Sequence, residues 1–403
     1  MKLVERHIIK KTHSNYEDID KLCFLSKNVF NSTLYIIKQA FANKEKIPTV
    51  FDLDKTWRLS NNVDYRALPY SQCSQQTMRC VYSLLTSFFR QIKSNNVRHK
   101  VNLPRYKDCI KGRYKCIYTN QCIKIKDSVV YIKLNKENKY LKVQTNRTNI
   151  KQVVILPIAN AYAIDIIYEV KEKEKKKLND RYASIDLGVD NLCTLASNCC
   201  QSIIYDGKRL KSINRFYNKR KAELQSELKG NKRTSNRIRL ITNRRNNKVK
   251  DYLHKISSAI VNYLISKDIH CIIIGKNDKW KDNCNIGKKN NQNFISIPHT
   301  RLVQMIEYKC DLNGITVIKV NEAYTSKCSF LDNEQICKHD VYKGKRINRG
   351  LFKSSKGVLI NADINGAYNI MIIGLKKLKC NCDAAMPADM RFVYNPVRVR
   401  LIL

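Results

Sequence analysis

The sequence predicts an α/β domain in the C-terminal part of the chain and, before it, a small β-barrel that a helical unit interrupts. Hydrophobic residues between positions 15 and 98 recur every three or four residues, which is typical of amphipathic helices. Short β-branched segments follow up to about residue 168. After Arg181, strands and helices alternate, as they do in α/β folds.

The charge of the chain indicates a polyanionic partner. Its 403 residues include 76 Lys and Arg against 34 Asp and Glu, a formal net charge of +42. Such a chain attracts phosphate-rich molecules. The charge is spread along the whole sequence, whereas a membrane-surface protein would concentrate it in one amphipathic helix. The sequence contains no run of 18 apolar residues, so no membrane-spanning helix is predicted. We therefore expect nucleic acid and no membrane partner.

Cysteine usage indicates the compartment. The 16 cysteines are not accompanied by an apolar signal segment at the N-terminus. Free thiols in a reducing, intracellular environment are the expectation. A eukaryotic or viral origin would imply work in the nucleus, and any other origin work in the cytoplasm or nucleoid.

The N-terminal part divides at the changes of hydrophobic period. Residues 1–14 predict a basic strand, and residues 15–98 a helical insert. Strands are predicted at 129–134, 141–144, 152–156 and 161–168. With residues 1–14, the segment 99–175 would form a barrel of OB-like type.

The C-terminal part predicts a largely buried sheet. Apolar runs such as residues 271–274 fit strands that are covered on both faces. We expect the α/β domain to cover residues 178–323 and 358–403, with an insert at 324–357. The predicted strands are 182–188, 191–196, 202–205, 270–275 and 315–321, and the predicted helices are 209–229, 235–266, 298–312 and 362–376.

Three acids lie at matching places in these elements. Asp186 ends the first strand, Glu322 directly follows the strand 315–321, and Asp363 opens the last helix. The carboxyl ends of parallel strands share an edge, so the three carboxylates can converge there and hold divalent cations that face a phosphate. Each also has an ordinary alternative: a strand exit for Asp186, a surface acid for Glu322 and a helix N-cap for Asp363.

The sequence around these acids resembles a known family. The segments Ile-Asp-Leu-Gly-Val at 185–189, Tyr-Thr-Ser-Lys at 324–327 and Asn-Ala-Asp-Ile-Asn-Gly-Ala-Tyr-Asn-Ile at 361–370 resemble the RuvC-type motifs of the TnpB proteins. The related Fanzor proteins share these motifs, and both are similar to ancestors of type V CRISPR effectors. Asn-Leu-Pro-Arg-Tyr-Lys at 102–107 matches a further recurrent stretch of the family.

The resemblance implies an RNase H-like (RuvC) nuclease domain, a wedge-type OB-like barrel and a helical recognition insert. It implies an RNA-guided DNA endonuclease whose partners are a guide RNA and target DNA. Two Mg²⁺ ions, or Mn²⁺ in their place, would be held by Asp186 as first acid, by Asp363 as third acid and by a second acid between them. Two alternatives stay open: a cleavage-inactive RNA-guided DNA-binding regulator, and a guide-free RNase H-like resolvase or transposase.

The second acid is where the chain departs from the usual family pattern. The family's Glu ends the strand that here finishes at Gly275, which has no carboxylate. A subset of relatives carries a Glu before Tyr-Thr-Ser-Lys instead, and Glu322 matches that place. Asp278 is the rival, but we expect a loop position three residues past Gly275 to make it a surface acid.

Many relatives carry two Cys-x-x-Cys pairs in the insert, a spacing that binds structural zinc. Here the first pair keeps only Cys328, and lysines replace the cysteines of the second pair. Cys337 and His339 are leftover ligand types nearby, and Cys380 lies beyond the last predicted helix. One alternative stays open, a zinc site made by Cys328, Cys337 and His339 with a distant Cys. We therefore expect a degenerate knuckle without zinc.

Residues 208–250 carry an extreme density of positive charge. A charged run is usually a solvated helix face. In so basic a chain we expect this one to contact the backbone of RNA or of a heteroduplex. The predicted nucleic-acid-binding residues are Lys219, Arg220, Lys221, Arg237, Arg244 and Arg245.

Overall fold

The computed structural model describes residues 1–94, 101–230, 232–276, 287–348, 350–380, 385–394 and 396–400. Its chain divides into two compact units, residues 1–171 and 172–403. Each unit contains both helices and strands, so the mixed α/β class is confirmed. The finer division into the predicted domains stays a prediction. No helix in the described ranges is long and apolar enough to cross a membrane.

Two antiparallel sheets and a group of helices form the first unit. One sheet has the order β1-β7-β6-β2 and the other the order β3-β4-β5. The strands and helices share an apolar core. In chain order the elements are β1 Lys2–Lys10, α1 Tyr16–Ala42, α2 Val50–Leu59, α3 Val63–Ala67, α4 Ser71–Lys93, β2 Cys116–Thr119, β3 Ile123–Lys126, β4 Val129–Lys133, β5 Tyr140–Gln144, β6 Ile150–Ile158 and β7 Ala161–Glu169.

The helical period between residues 15 and 98 is confirmed by α1 and α4, whose apolar faces are buried. The short helices α2 and α3 between them were not predicted individually. A Thr49–Asp52 capping box begins α2, and the side chain of Asn62 caps α3, so local capping fixes both starts.

The second unit is built on one mixed sheet. Its elements are β8 Tyr182–Leu187, β9 Asn191–Ser197, β10 Ile203–Asp206, α5 Lys208–Ser226, α6 Asn236–Ser266, β11 Cys271–Gly275, α7 Lys288–Ser296, α8 His299–Asp311, β12 Thr316–Val320, β13 Lys345–Asn348, β14 Leu351–Lys353, β15 Leu359–Asn361, α9 Ala362–Leu378, α10 Arg391–Tyr394 and β16 Val397–Val399. The predicted strands and helices of this part are confirmed to within a few residues at their ends.

The strand order of the main sheet is β12-β11-β8-β9-β10-β16. Strands β8, β11 and β12 run parallel to one another, with Ile185 beside Ile274 and Gly275 beside Val320. Strand β9 pairs antiparallel with β8. The carboxyl ends of β8, β11 and β12 therefore meet at one edge, the arrangement that the acidic site requires.

Both faces of this sheet are covered, as its apolar strands predict. One face packs against α6 and α8 around residues such as Ile272 and Ile274. The other face, with Ile273 in its core, packs against α9. Helix α9 crosses β8, β9, β11 and β12, so its residues reach the edge at which the acids lie.

Helix α9 lies close to the sheet because Gly374 has no side chain. A Cβ added at Gly374 would lie 2.5 Å from Cγ2 and 2.6 Å from Cδ1 of Ile273, which is fully buried. An alanine would therefore overpack this contact. Overpacking a core costs about 1–3 kcal/mol, whereas alanine in place of glycine adds up to about 1 kcal/mol of helix propensity.

We predict that Gly374→Ala lowers the free energy of unfolding in spite of the better helix propensity of alanine. Chemical denaturation of the two proteins measures the difference. Lys376→Ala, on the exposed side of the same helix, is the matched control and should change stability by less than about 0.5 kcal/mol. A stabilised Gly374→Ala variant would contradict this packing.

Candidate nuclease site

The structure brings the three predicted acids to one edge of the sheet. Asp186 is the last residue but one of β8 and pairs with Thr194 of β9. Glu322 follows the end of β12 by two residues, and Asp363 lies in the first turn of α9. The negative charges of Asp363 and Glu322 act directly on Asp186, so the three side chains are near neighbours.

The alternative that Asp363 serves as the N-cap of the last long helix is wrong. The N-cap of α9 is Asn361, whose Oδ1 accepts hydrogen bonds from the backbone N–H of Asp363 at 2.9 Å and of Ile364 at 3.4 Å. An Asn at this position stabilises the helix start. The Asp363 carboxylate is therefore not needed for capping and is directed to other partners.

Two glycines leave space for two of the carboxylates. A Cβ at Gly366 would lie 2.8 Å from Oδ2 of Asp186. A Cβ at Gly275 would lie 2.7 Å from Oε2 of Glu322 and 2.5 Å from Cδ1 of Ile370. The side chain of Glu322 thus lies against the position from which the family's usual Glu would project.

Burial raises the pKa of Asp186 and of Glu322, and like charges add to the effect at Asp186. Desolvation, the nearby Asp363 and the nearby Glu322 together hold the pKa of Asp186 well above its ordinary value, and the Arg346 guanidinium offsets part of this effect. Burial raises the pKa of Glu322 to about 7. Glu322 is therefore not an ordinary surface acid, and both groups would be stabilised in their ionised form by a cation.

Polar neighbours fix the orientation of Asp363. Nδ2 of Asn191 donates to its Oδ2 at 2.6 Å, and Nη2 of Arg346 lies 3.5 Å from its Oδ1. Asn191 is in turn held by Nη1 of Arg398, which donates to its Oδ1 at 2.8 Å. The sequence analysis did not identify Asn191 or Arg346, because the contacts join residues that are far apart in the chain.

Two buried asparagines of α9 hold the turn that follows Glu322. Nδ2 of Asn369 donates to the carbonyls of Thr325 at 2.8 Å and of Cys328 at 2.7 Å. Asn365 accepts from the N–H of Phe330 at 2.9 Å and donates to the carbonyl of Cys328 at 2.8 Å. Both asparagines are fully buried. Their spacing of four residues on an otherwise apolar helix was a signal that could have identified them.

The turn itself is tightly wound. The N–H and the hydroxyl of Thr325 both donate to the carbonyl of Glu322, at 3.3 and 2.8 Å. Between them Tyr324 has a φ of 66°, which is unusual for a bulky residue. Strained backbone of this kind persists where the surroundings fix it. The hydrogen bonds from Asn365 and Asn369 of α9 supply that constraint and so fix the position of Glu322.

The chemistry of the three acids fits Mg²⁺, which prefers hard oxygen ligands. In the part of the chain that the structure describes, no three His, Cys, Asp or Glu side chains lie close enough together to hold an ion as they stand. The three acids are thus neighbours rather than a closed ligand set. The rival Asp278 lies outside the described residues.

The insert shows how the leftover zinc-ligand types are arranged. Sγ of Cys337 lies 3.3 Å from Nε2 of His339, and Sγ of Cys328 donates to the carbonyl of Cys337 at 3.6 Å. Cys328 is fully buried. Cys380, beyond α9, lies instead beside the hydroxyl of Tyr182 at 3.6 Å. The zinc-free insert stays a prediction.

The predicted nucleic-acid-binding residues lie on α5 and α6, which pack against each other. Three of them also have contacts within the protein. Arg220 pairs with Glu223 at 2.8 Å, and Arg237 lies 4.0 Å from Glu227. Arg245 donates to Oδ1 of Asn214 at 2.7 Å. The exposed or half-exposed members of the set are Lys219, Arg220, Lys221, Arg237, Arg244 and Arg245.

Comparison with known proteins gives two matching family profiles. Residues 165–281 match the family OrfB_IS605, described as "Probable transposase". Residues 299–370 match the Cas12f1-like TNB domain. The first range includes Asp186 and Gly275, and the second includes Glu322 and Asp363.

Three curated proteins are similar to this chain. The TnpB-like protein ORF457 of Acidianus two-tailed virus is 30% identical over 208 residues, 49% of this chain and 42% of that protein. The candidate RNA-guided DNA endonuclease InsQ of Escherichia coli (strain K12) is 23% identical over 80% of this chain and 79% of its own length. The CRISPR-associated endodeoxyribonuclease Cas12f1 of Sulfoacidibacillus thermotolerans is 33% identical over 31% of this chain and 27% of its own.

The extent of these matches differs between the relatives. The chain spans less than half of ORF457 and of Cas12f1, but about four fifths of InsQ. The matches to TnpB-like and Cas12f1-like sequences cover both the α/β unit and its insert. They confirm the resemblance to the TnpB family that the sequence motifs predict.

Proposed function

We propose that this protein is an RNA-guided DNA endonuclease with one RNase H-like (RuvC) site, which cuts guide-complementary DNA next to a short motif. The observation that carries the proposal is the meeting of Asp186, Glu322 and Asp363 at one edge of a sheet in a chain of net charge +42. The relatives InsQ and Cas12f1, named as RNA-guided and CRISPR-associated nucleases, support it. In this proposal a guide RNA supplies sequence recognition and the protein supplies the cleavage site.

Asp186, Glu322 and Asp363 are the residues that would hold two Mg²⁺ ions, or Mn²⁺. When bound, the ions would activate water and stabilise the leaving oxygen of the phosphodiester. Asn191 would keep the Asp363 carboxylate oriented through its 2.6 Å hydrogen bond. Asn369 would position Glu322 by holding the backbone at Thr325.

The positive face of α5 and α6 would bind the phosphate backbone. Lys219, Arg244 and their basic neighbours neutralise phosphates without reading bases. Such contacts release counterions, so affinity falls steeply as salt rises. This binding is independent of the acidic site, which allows cleavage and binding to be measured separately.

We predict that Asp186→Asn, Glu322→Gln and Asp363→Asn each abolish cleavage while RNA and target binding survive. Each substitution keeps the size of the side chain and removes the charge that would hold the metal. Magnesium-dependent cleavage of a guide-matched plasmid measures activity, and filter binding measures RNA affinity. Asp278→Asn is the control and should cut normally.

Two results would contradict this assignment. If Glu322→Gln cuts normally and Asp278→Asn does not, the second acid lies after Gly275. If the unmodified protein binds guide-matched DNA but never cuts it, the cleavage-inactive regulator is the correct function.

We predict that Gly275→Glu inactivates the protein by itself but restores part of the activity of Glu322→Ala. In the first case the new Cβ meets Oε2 of Glu322 at 2.7 Å, so the two side chains compete for one space. In the second case alanine vacates that space, and the side chain of Ile370, whose Cδ1 would lie 2.5 Å and Cγ1 3.1 Å from the new Cβ, has to shift. The new carboxylate then projects from the neighbouring strand end.

Plasmid cleavage by the two single variants and the double variant measures this exchange. Gly275→Gln combined with Glu322→Ala is the control, since it fills the same space without a charge and should stay inactive. Full activity of Gly275→Glu with Glu322 present would show that the two positions do not share one space.

A further inference from the structure

A cavity of about 680 Å³ opens between α5 and α6, apart from the acidic site. Its volume is within the range of small-ligand pockets, about 300–1,000 Å³. Ile213, Phe216, Tyr217 and Ile241 give it apolar walls. Phe216 is 75% exposed, although burying a large aromatic ring is strongly favourable. The protein thus presents a large ring to solvent on the basic surface of α5 and α6.

The charge of the cavity selects its ligand. Among the described residues that line it, four are cationic and none is acidic: Arg220, Arg244, Arg245 and Lys248. A suitable ligand therefore combines a flat apolar group with negative charge. A nucleotide has both, since its base can stack on an aromatic ring while its phosphate meets the cations.

Contacts within the protein hold the walls of the cavity in place. The hydroxyls of Tyr217 and Thr242 are hydrogen-bonded at 3.0 Å and join the two helices. Nη2 of Arg245 donates to the carbonyl of Ser296 at 2.8 Å, and the guanidinium lies 5.8 Å from the centre of the Tyr217 ring. Fixed walls lower the entropy that ligand binding would otherwise cost.

We propose that this cavity takes an unpaired nucleobase of the bound RNA, stacked on Phe216, with the flanking phosphates on Arg220, Arg244 and Lys248. The proposal rests on the proposed function, in which RNA is the resident partner. Ser212 and Asn247 also line the cavity and are exposed. Their hydroxyl and amide can bond a ribose 2′-hydroxyl, the group that distinguishes RNA from DNA.

The test uses a short single-stranded RNA in which 2-aminopurine replaces adenine, together with DNA of the same sequence. Stacking quenches the fluorescence of 2-aminopurine, so base and phosphate contacts are read separately. The nucleic-acid-free protein should quench the RNA probe and bind it more tightly than the DNA. Binding is measured by anisotropy over a series of salt concentrations.

We predict that Phe216→Ala loses the quenching and binds RNA about 5- to 150-fold more weakly, while the salt dependence is unchanged. The side chain is mostly exposed, so the variant should fold normally. Phe216→Trp keeps an aromatic face and should restore the quenching. Ile265→Ala is the matched control: this side chain is also an exposed hydrophobic and lies on α6, but it is not among the residues described at the cavity.

The outcomes separate the pocket from the proposed function. Lys219→Gln should lower the salt dependence of RNA binding and leave the quenching intact, because Lys219 is not among the residues described at the cavity.

Normal RNA affinity and quenching in Phe216→Ala would overturn the proposed base-binding pocket but leave RNA binding in place. Equal quenching of the DNA probe would overturn the assignment to RNA. A change in oligomeric state on Phe216→Ala, with RNA binding unaltered, would assign the cavity to a protein partner. Absence of RNA binding by the unmodified protein would overturn the proposed function itself.

Discussion

The close approach of α9 to the central sheet is the constraint on which the candidate site depends. Gly374 lets the helix lie against Ile273, and Gly366 leaves room for the carboxylate of Asp186. Between these points the carbonyl of Ala367 accepts a hydrogen bond from the hydroxyl of Ser184 at 2.6 Å. A helix that lay farther away would leave Asp363 remote from the strand ends. The small residues of α9 are therefore part of the site, although they have no chemistry of their own.

Gathering like charges at this edge opposes folding, and the structure shows what offsets the cost. Burial raises the pKa of Asp186 and of Glu322, and the negative charges of Asp363 and Glu322 raise that of Asp186 further, so the protein by itself favours their protonated forms. Fixed hydrogen bonds from Asn191 and the turn held by Asn369 keep the acids near one another despite this repulsion. The basic surface on α5 and α6 is a separate feature, which suits binding of a polyanion. The proposed division between cleavage and recognition corresponds to these two separate features.

Much of the fold could be predicted because the hydrophobic period is strong in the long elements. Helix α6 and the apolar strands β8, β11 and β12 follow the predicted ranges closely, and α1 and α4 lie within the segment 15–98 that was predicted to be helical. The strands β2 and β3 have four residues each, too few to give a periodic signal, and α3 depends on its cap rather than on a pattern. The meeting of the three acids follows from strand direction. The placement of Glu322 at Gly275 required the comparison with the family's pattern. The spacing of Asn365 and Asn369 was visible in the sequence, but the backbone groups that they bind, at Thr325, Cys328 and Phe330, are set only by tertiary contacts.

The most direct test of the central claim is guide-directed cleavage by the protein with its own RNA. RNA that copurifies with the protein would be sequenced, and a plasmid library carrying its complement beside a randomised flank would be treated with the complex and Mg²⁺. We predict that plasmids with one shared flanking motif are cut, and that a mismatched guide region or a chelator prevents the cleavage. Cleavage that ignores the guide sequence, or a preparation that contains no RNA, would contradict the claim.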